Sequence, residues 1–210
     1  MSGKIKFAKI RDVKDPNRAY QHDAGIDFFV PKFTTSFLKD LKEKNQQLFS
    51  NNNKAVCITG SITYSPSSAG MSIEPVTDSF IKFDDEKGKP FFFIPPHKRV
   101  LIPSGLHCRM EEPGRALIAA NKSGRSTEDG IIFSAQVVDF TYKGEIHIGI
   151  INTSDEYIRI YEDMKVMQFI ETPIFTSQVC IEPFSETFYK GVPDDRGANG
   201  FDSTANKLNS

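Results

Sequence analysis

The stretch Val137-Val-Asp-Phe-Thr-Tyr-Lys-Gly-Glu-Ile places a carboxylate, Asp139, directly after two β-branched apolar residues and three positions before a tyrosine. Two strand-like runs flank a short turn ending at Gly144, a pattern that predicts a β-hairpin. A carboxylate in that place serves either as an acceptor for turn N–H groups or as a functional base. Tyr142 can present its ring to a flat ligand. Upstream, Asn121-Lys-Ser-Gly-Arg-Ser-Thr gathers two cations, two serine hydroxyls and a glycine after an apolar run. Lys122, the Ser123 hydroxyl and the N–H groups freed by Gly124 predict either an oxyanion cradle or a solvated turn. A third group, Arg196-Gly-Ala-Asn-Gly-Phe-Asp-Ser-Thr, lies near the C-terminus. Arg196 suits a terminal phosphate, Ser203 and Thr204 suit phosphate oxygens, and Phe201 suits the face of a base. The polar, glycine-bearing composition after about Ser185 is by itself that of a disordered tail.

Short runs rich in Ile, Val and Phe must position these groups. They fall at Lys4 to Ile10, Gly25 to Val30, Arg99 to Pro103, Arg115 to Ala120, Ile131 to Phe133, Glu145 to Ile151, Tyr157 to Ile160 and Val166 to Ile170. Many short strands separated by turn residues predict an all-β antiparallel sandwich or barrel. Alternation puts Ile146, Ile148 and Ile150 on one face of their strand, with Glu145, His147 and Gly149 on the other. One stretch differs. Phe37, Leu38, Leu41 and Leu48 recur at near-helical spacing, which predicts a short amphipathic helix over about Ser36 to Phe49. The polar, turn-rich residues around it predict that about 37–90 is a surface excursion outside the core.

The bulk properties exclude several classes. The chain has 210 residues, 39% hydrophobic and 25% charged, with a formal net charge of -1. No broad basic field exists for a nucleic-acid backbone, so phosphate-binding charge must be local. No apolar run approaches the roughly 20 residues that cross a bilayer. The N-terminal MSGKIKFAKI lacks the apolar core of a signal peptide, so the expected location is cytoplasmic. Cys57, Cys108 and Cys180 form no C-x-x-C pair and predict free, mostly buried thiols. His22, His97, His107 and His147 lack metal-ligand spacing, and no P-loop, dinucleotide fingerprint or G-x-S-x-G elbow occurs.

In order, these segments resemble the five motifs of the trimeric dUTPase family. They are Ala24-Gly-Ile-Asp-Phe; Ala120-Asn-Lys-Ser-Gly-Arg with Gly130-Ile131; Gln136-Val-Val-Asp-Phe-Thr-Tyr-Lys-Gly-Glu with Asn152; Met167-Gln-Phe-Ile after Asp163-Met-Lys; and Arg196-Gly-Ala-Asn-Gly-Phe-Asp-Ser-Thr-Ala. Pro103-Ser-Gly-Leu adds a strand end of the same kind. The likeness covers 1–35 and about 91–205. Lys122 stands where the family has an arginine, Gln136 and Thr141 replace a glycine and an aspartate, and Asn199, Asp202 and Ala205 replace glycines.

The resemblance implies a jelly-roll-like dUTPase fold (β-clip) assembled as a homotrimer with sites shared between chains. The β domain would be 1–185, with about 37–90 inserted, and 186–210 a flexible C-terminal arm. It implies hydrolysis of dUTP to dUMP and pyrophosphate, with Asp139 as the base. Gln136, Val137, Val138 and His147 would read the uracil edge, and Tyr142 the deoxyribose. Lys122, Ser123, Gly124 and Gln168 would hold phosphates, while Arg196, Phe201, Ser203 and Thr204 close as a lid. Mg2+ would ride mainly on the triphosphate and waters, with Asp27 in an outer role. Two alternatives stand beside it: a dCTP deaminase of the same fold, and a catalytically weak regulator with a protein partner at residues 37–90. Neither reading calls for nucleic acid or membrane.

Overall fold

The computed structural model describes residues 3–49, 80–185 and 187–193. The chain divides into two compact units, Met1–Phe175 and Thr176–Ser210. The first carries all the regular structure among the described residues: β1 (Ile5–Lys9), β2 (Gly25–Phe29), α1 (Thr35–Lys44), α2 (Gln46–Phe49), β3 (Lys82–Asp84), β4 (Lys89–Ile94), β5 (Arg99–Pro103), β6 (Leu106–Met110), β7 (Arg115–Ala120), α3 (Ser123–Thr127), β8 (Ile131–Phe133), β9 (Val137–Asp139), β10 (His147–Asn152), β11 (Ile158–Tyr161) and β12 (Lys165–Pro173). In the second unit residues 187–191 form turns and 176–185 no regular element, with the rings of Phe184, Phe188 and Tyr189 in mutual contact.

The architecture is all-β and jelly-roll-like, as expected. The strands form four sheets, ordered β1-β6, β5-β10-β8, β11-β4-β3 and β2-β12-β7-β9, and their pairings are antiparallel. Ile146, Ile148 and Ile150 all point into the core, as their alternation predicts. Strand β6 escaped the sequence reading because His107 and Arg109 interrupt its apolar pattern; its pairing with β1 makes it a strand.

The β2-β12-β7-β9 sheet has two unlike faces. Ile26, Phe169, Ala119 and Leu117 turn inward and are nearly inaccessible. Directly opposed residues share a face. The register therefore sets Gly25, Asp27, Gln168, Ala120, Val137 and Asp139 together on the other face. A bulge between Lys165 and Met167 matters here. Strict alternation would send Lys165 to the same side as the buried Met167. The extra residue instead pairs Lys165 with Phe29 and turns it to the face of Asp27.

The structure corrects the reading of the segment after residue 36. Helix α1 forms, with Thr34 capping it through an acceptor bond from the Phe37 N–H at 3.3 Å. It is not a surface excursion. Phe37, Leu38, Leu41 and Leu48 all belong to the central hydrophobic cluster. Phe33 stacks on Phe37 and also meets Phe92 of β4. The helix ends at Asn45, whose side chain donates to the Leu41 carbonyl at 2.6 Å and also reaches β5. Asn45 donates to the Leu101 carbonyl at 2.8 Å and accepts from the Leu101 N–H at 2.7 Å, so an amide side chain completes the edge of a strand. Residues 50–79 lie outside the described part. The thiols are also more exposed than expected: Cys108 is half-buried, its pKa pushed up to about 11 by burial, and Cys180 is exposed. Cys57 lies outside the described residues.

Because Leu41 is fully buried, Leu41→Ala is expected to cost about 2–5 kcal/mol of stability, the range for truncating a packed leucine. Urea unfolding of the two proteins measures this, and a loss under 1 kcal/mol would return α1 to the surface.

Candidate active site

The expected hairpin around Asp139 is open. Its first arm, β9, pairs with β7, while its second, β10, pairs with β5 and β8. The arms thus belong to different sheets and do not pair with each other. Between them lies a cleft of about 250 Å³ lined by Ala135, Gln136, Val137, Val138, Asp139, Tyr142, Ile146, His147 and Phe169. Among the described residues, the divergence leaves the outer edge of β9 unpaired. The Ala119 N–H donates to the Gln136 carbonyl at 2.7 Å. In an antiparallel ladder the N–H and C=O of the next residue point the other way. Val137 therefore aims both backbone groups away from β7, toward the cleft.

The loop across the gap is tied by short bonds. The Tyr142 N–H donates to the Asp139 carbonyl at 3.1 Å, closing the turn. The Tyr142 hydroxyl donates to the Glu145 carbonyl at 2.9 Å. Gly144 makes room for this bond, since a Cβ there would push the Tyr142 ring and hydroxyl aside. The Glu145 carbonyl also meets His147 Nδ1 at 2.9 Å. A carbonyl only accepts, so Nδ1 carries the proton and Nε2 holds a lone pair. Asp139 is exposed, and among the described residues no side chain pairs with its carboxylate.

A second group gathers at the other end of the same sheet face. Asp27 is buried, with one carboxylate oxygen on the Lys122 ammonium and the other on Lys165 at 2.8 Å. Burial opposes the charge on Asp27, but the two lysines outweigh it and hold its pKa below the ordinary value. Gln168 donates to the Asn121 carbonyl at 2.8 Å. It also fills the space where a Cβ of Gly25 would stand, so a larger residue there would displace the Gln168 amide. Ser123 and Gly124 open α3, whose first-turn N–H groups have no partner within the helix. Lys165 is a site residue the sequence reading missed, because only the bulge brings it to Asp27.

The expected residues thus meet in two places. Gln136, Val137, Val138, Asp139, Tyr142 and His147 line the cleft, whereas Lys122 and Gln168 adjoin Asp27, with Ser123 and Gly124 next along the chain from Lys122. Gln168 pairs with Ala120 and Asp139 with Ala116, four residues along β7 and two strands over. Standard strand spacings put their Cα atoms about 16 Å apart. Arg196, Phe201, Ser203 and Thr204 lie outside the described residues. Among the described residues no three His, Cys, Asp or Glu side chains converge, and both oxygens of Asp27 already face ammonium groups. The residues present do not fit a magnesium ion held by protein ligands.

Burial pushes the His147 imidazole below its ordinary value, Lys44 and Arg11 add to that, and Glu145 pulls only partly the other way. The unfolded chain therefore takes up this proton first as pH falls through about 6.5. Stability is expected to decline from there down to the folded-state pKa, while the depressed Asp27 and Glu145 carboxyls act only at lower pH. His147→Gln removes this slope. Urea midpoints between pH 7.5 and 5.5 measure it, and equal slopes in both proteins would refute it.

Residues 85–205 match the family model for dUTPase. The deoxyuridine 5'-triphosphate nucleotidohydrolase of Bartonella henselae is 32% identical over 114 residues, covering 53% of this chain and 61% of that protein. The enzyme of the same name from Shewanella pealeana is 26% identical over 145 residues, 68% of this chain and 84% of that protein. The chain thus spans about three fifths of the Bartonella relative. In overall fold it is similar to a variant of the dUTPase of Staphylococcus bacteriophage 80alpha with dUpNHpp, at TM-score 0.58 and 14% identity over 97% of this chain and 99% of that one. It is also similar to the dUTPase of S. aureus phage phi11, at TM-score 0.52 and 14% identity over 88% and 99%. The family match takes in more than half of the 210 residues, and the chain belongs to the dUTPase family.

Proposed function

We propose that this chain hydrolyses dUTP to dUMP and pyrophosphate, as a homotrimer whose sites draw on more than one copy. The observation that carries the reading is the cleft between β9 and β10, with the Val137 backbone edge and the Asp139 carboxylate on its wall, both without a partner among the described residues. A pyrimidine offers an edge of alternating donors and acceptors that such a backbone edge matches. Ile146 and Phe169, both buried, close the floor, and a close-packed floor resists an added ring methyl. Tyr142, fixed by Glu145, supplies the surface for the sugar.

Asp139 is the general base. It orients a water on the α-phosphorus and takes its proton as the new P–O bond forms. The bridging P–O bond breaks, and pyrophosphate leaves. Lys122, Ser123, Gly124 and Gln168 hold the phosphates, and Arg196, Phe201, Ser203 and Thr204 close over the nucleotide. The separation of about 16 Å between Asp139 and Gln168 in one chain supports sites shared between copies. The phage 80alpha neighbour carries dUpNHpp, which supports a deoxyuridine nucleotide as ligand. A further phi11 dUTPase structure describes a structural Mg(II) ion. Here magnesium is assigned to the triphosphate, where it keeps several waters, and not to Asp27. Glu145, the glutamate beside the cleft, is bound by Arg11 and the Gly105 N–H and is no free base for a deaminase. No described helix is long and apolar enough to cross a membrane. The reading places the enzyme in the cytoplasm.

A panel of dUTP, dCTP, dTTP and UTP tests the reading, with pyrophosphate and ammonia both measured. Pyrophosphate from dUTP alone is expected. Ammonia from dCTP, or tight dUTP binding without turnover, would overturn the reading. Asp139→Asn is expected to lower kcat by roughly 10²–10⁴, the scale of a lost general base, with dUpNHpp still bound. Near-normal turnover would remove Asp139 from the mechanism. Chains carrying Asp139→Asn and chains ending at Lys190, each inactive alone, are expected to recover about a quarter of wild-type activity when refolded together in equal amounts. No recovery, with mixing confirmed by mass, would place both groups in one chain.

A further inference from the structure

Glu145 is the hub of the loop that walls the cleft. Its carbonyl accepts from both the Tyr142 hydroxyl and the His147 ring, each at 2.9 Å. Its carboxylate, with a side chain only 13% exposed, accepts from the Gly105 N–H at 2.7 Å and from Arg11 through Nε at 2.9 Å and a terminal nitrogen at 3.1 Å. That bidentate fork fixes orientation as well as distance. The same terminal nitrogen of Arg11 also donates to Asp40 of α1. Asp40 lies outside the family match at 85–205, on a helix that Asn45 fastens to Leu101 of β5. Strand β5 pairs with β10 at Pro103 and His147, so the helix is braced against the strand that carries the far wall of the cleft.

We infer that Asp40, acting through Arg11 and Glu145, is a positioning residue that sets where Tyr142 and His147 stand in the cleft. The inference rests on the proposed reading of the cleft as the nucleoside site. A guanidinium that answers only to Glu145 keeps its charge partner but loses one of two anchors. The Glu145 backbone then gains freedom, and both ligand-facing rings move with it. An ångström-scale error in such groups weakens binding without touching the base, Asp139. Neither Asp40 nor Arg11 lines the cleft, and the hydrogen-bonded route from them to its walls runs through Glu145.

Asp40→Asn tests this, because it keeps the shape, and Glu145 still balances Arg11. KM for dUTP is expected to rise about fivefold, the scale of one ordinary hydrogen bond, with kcat within about twofold. Arg11→Lys, which loses the fork, is expected to raise KM further, and the double variant to be no worse than Arg11→Lys alone, since the two residues act in series. Hydrogen exchange at the Gly105 amide is expected to quicken in Asp40→Asn with the thermal midpoint little changed. KM within twofold of wild type in Asp40→Asn overturns the inference, as do additive effects in the double variant. If the wild-type protein does not turn over dUTP, the functional reading falls, and the exchange experiment decides the relay by itself. Faster exchange at Gly105 then supports it, and unchanged exchange overturns it.

Discussion

Strands β9 and β10 are near neighbours in sequence, yet they pair in different sheets, β9 with β7 and β10 with β5 and β8. A tight hairpin would satisfy its own backbone across the turn and leave no room inside. Here each arm finds its ladder elsewhere, and the seven residues between them span the gap. The cleft, the outward Val137 backbone groups and the placement of Asp139 all follow from that divergence. The cost is a loop without a ladder of its own, and Glu145 meets it. Its carboxylate and carbonyl together hold Gly105, Arg11, Tyr142 and His147.

A buried charge of this kind is stable only when its partners are well placed. Two carboxylates near the cleft and the lysine pair meet that condition in the same way. Glu145 and Asp27 each oppose burial with cations and hydrogen bonds, and each ends with its pKa below the ordinary value. The geometries differ. Glu145 faces a planar fork that fixes its direction, whereas Asp27 faces two flexible ammonium groups. A lysine released from Asp27 could turn to a phosphate without leaving the carboxylate unpaired, because the second lysine remains. The pair of lysines thus reconciles a buried carboxylate with a cationic surface for an anionic ligand, which a single salt bridge would not.

Helix α1 shows how a segment outside the family match becomes part of the site. Its apolar side enters the core through Phe37, Leu38 and Leu41, which anchors the helix firmly. Its polar residues then act at fixed positions: Asn45 completes the β5 edge and Asp40 completes the Arg11 clamp. Burial supplies the rigidity, and the hydrogen bonds supply the direction.

Through the family resemblance the sequence named six of the nine residues that line the cleft. By itself it determined the all-β class, the apolar runs of β5, β7 and β8 and the inward face of β10. These are local properties. Alternation, β-branching and motif order are written in neighbouring residues, and Asp139 stands out because its neighbours are Val137 and Val138. The helix at α1 was legible for the same reason. Its burial was not, because an amphipathic stripe says that one face is apolar and not what it meets. The tertiary structure alone decided three things. It decided that the two arms around Asp139 part instead of pairing, since strand partners 20 to 50 residues away compete with the local turn. It decided that Lys165 reaches Asp27, since a bulge reverses the alternation. It decided that Arg11, Asp40 and Glu145 form one clamp, since ion pairs between residues 29 and 134 positions apart leave no local signature. Periodicity encodes which face of an element is buried; only the folded chain decides what stands opposite it.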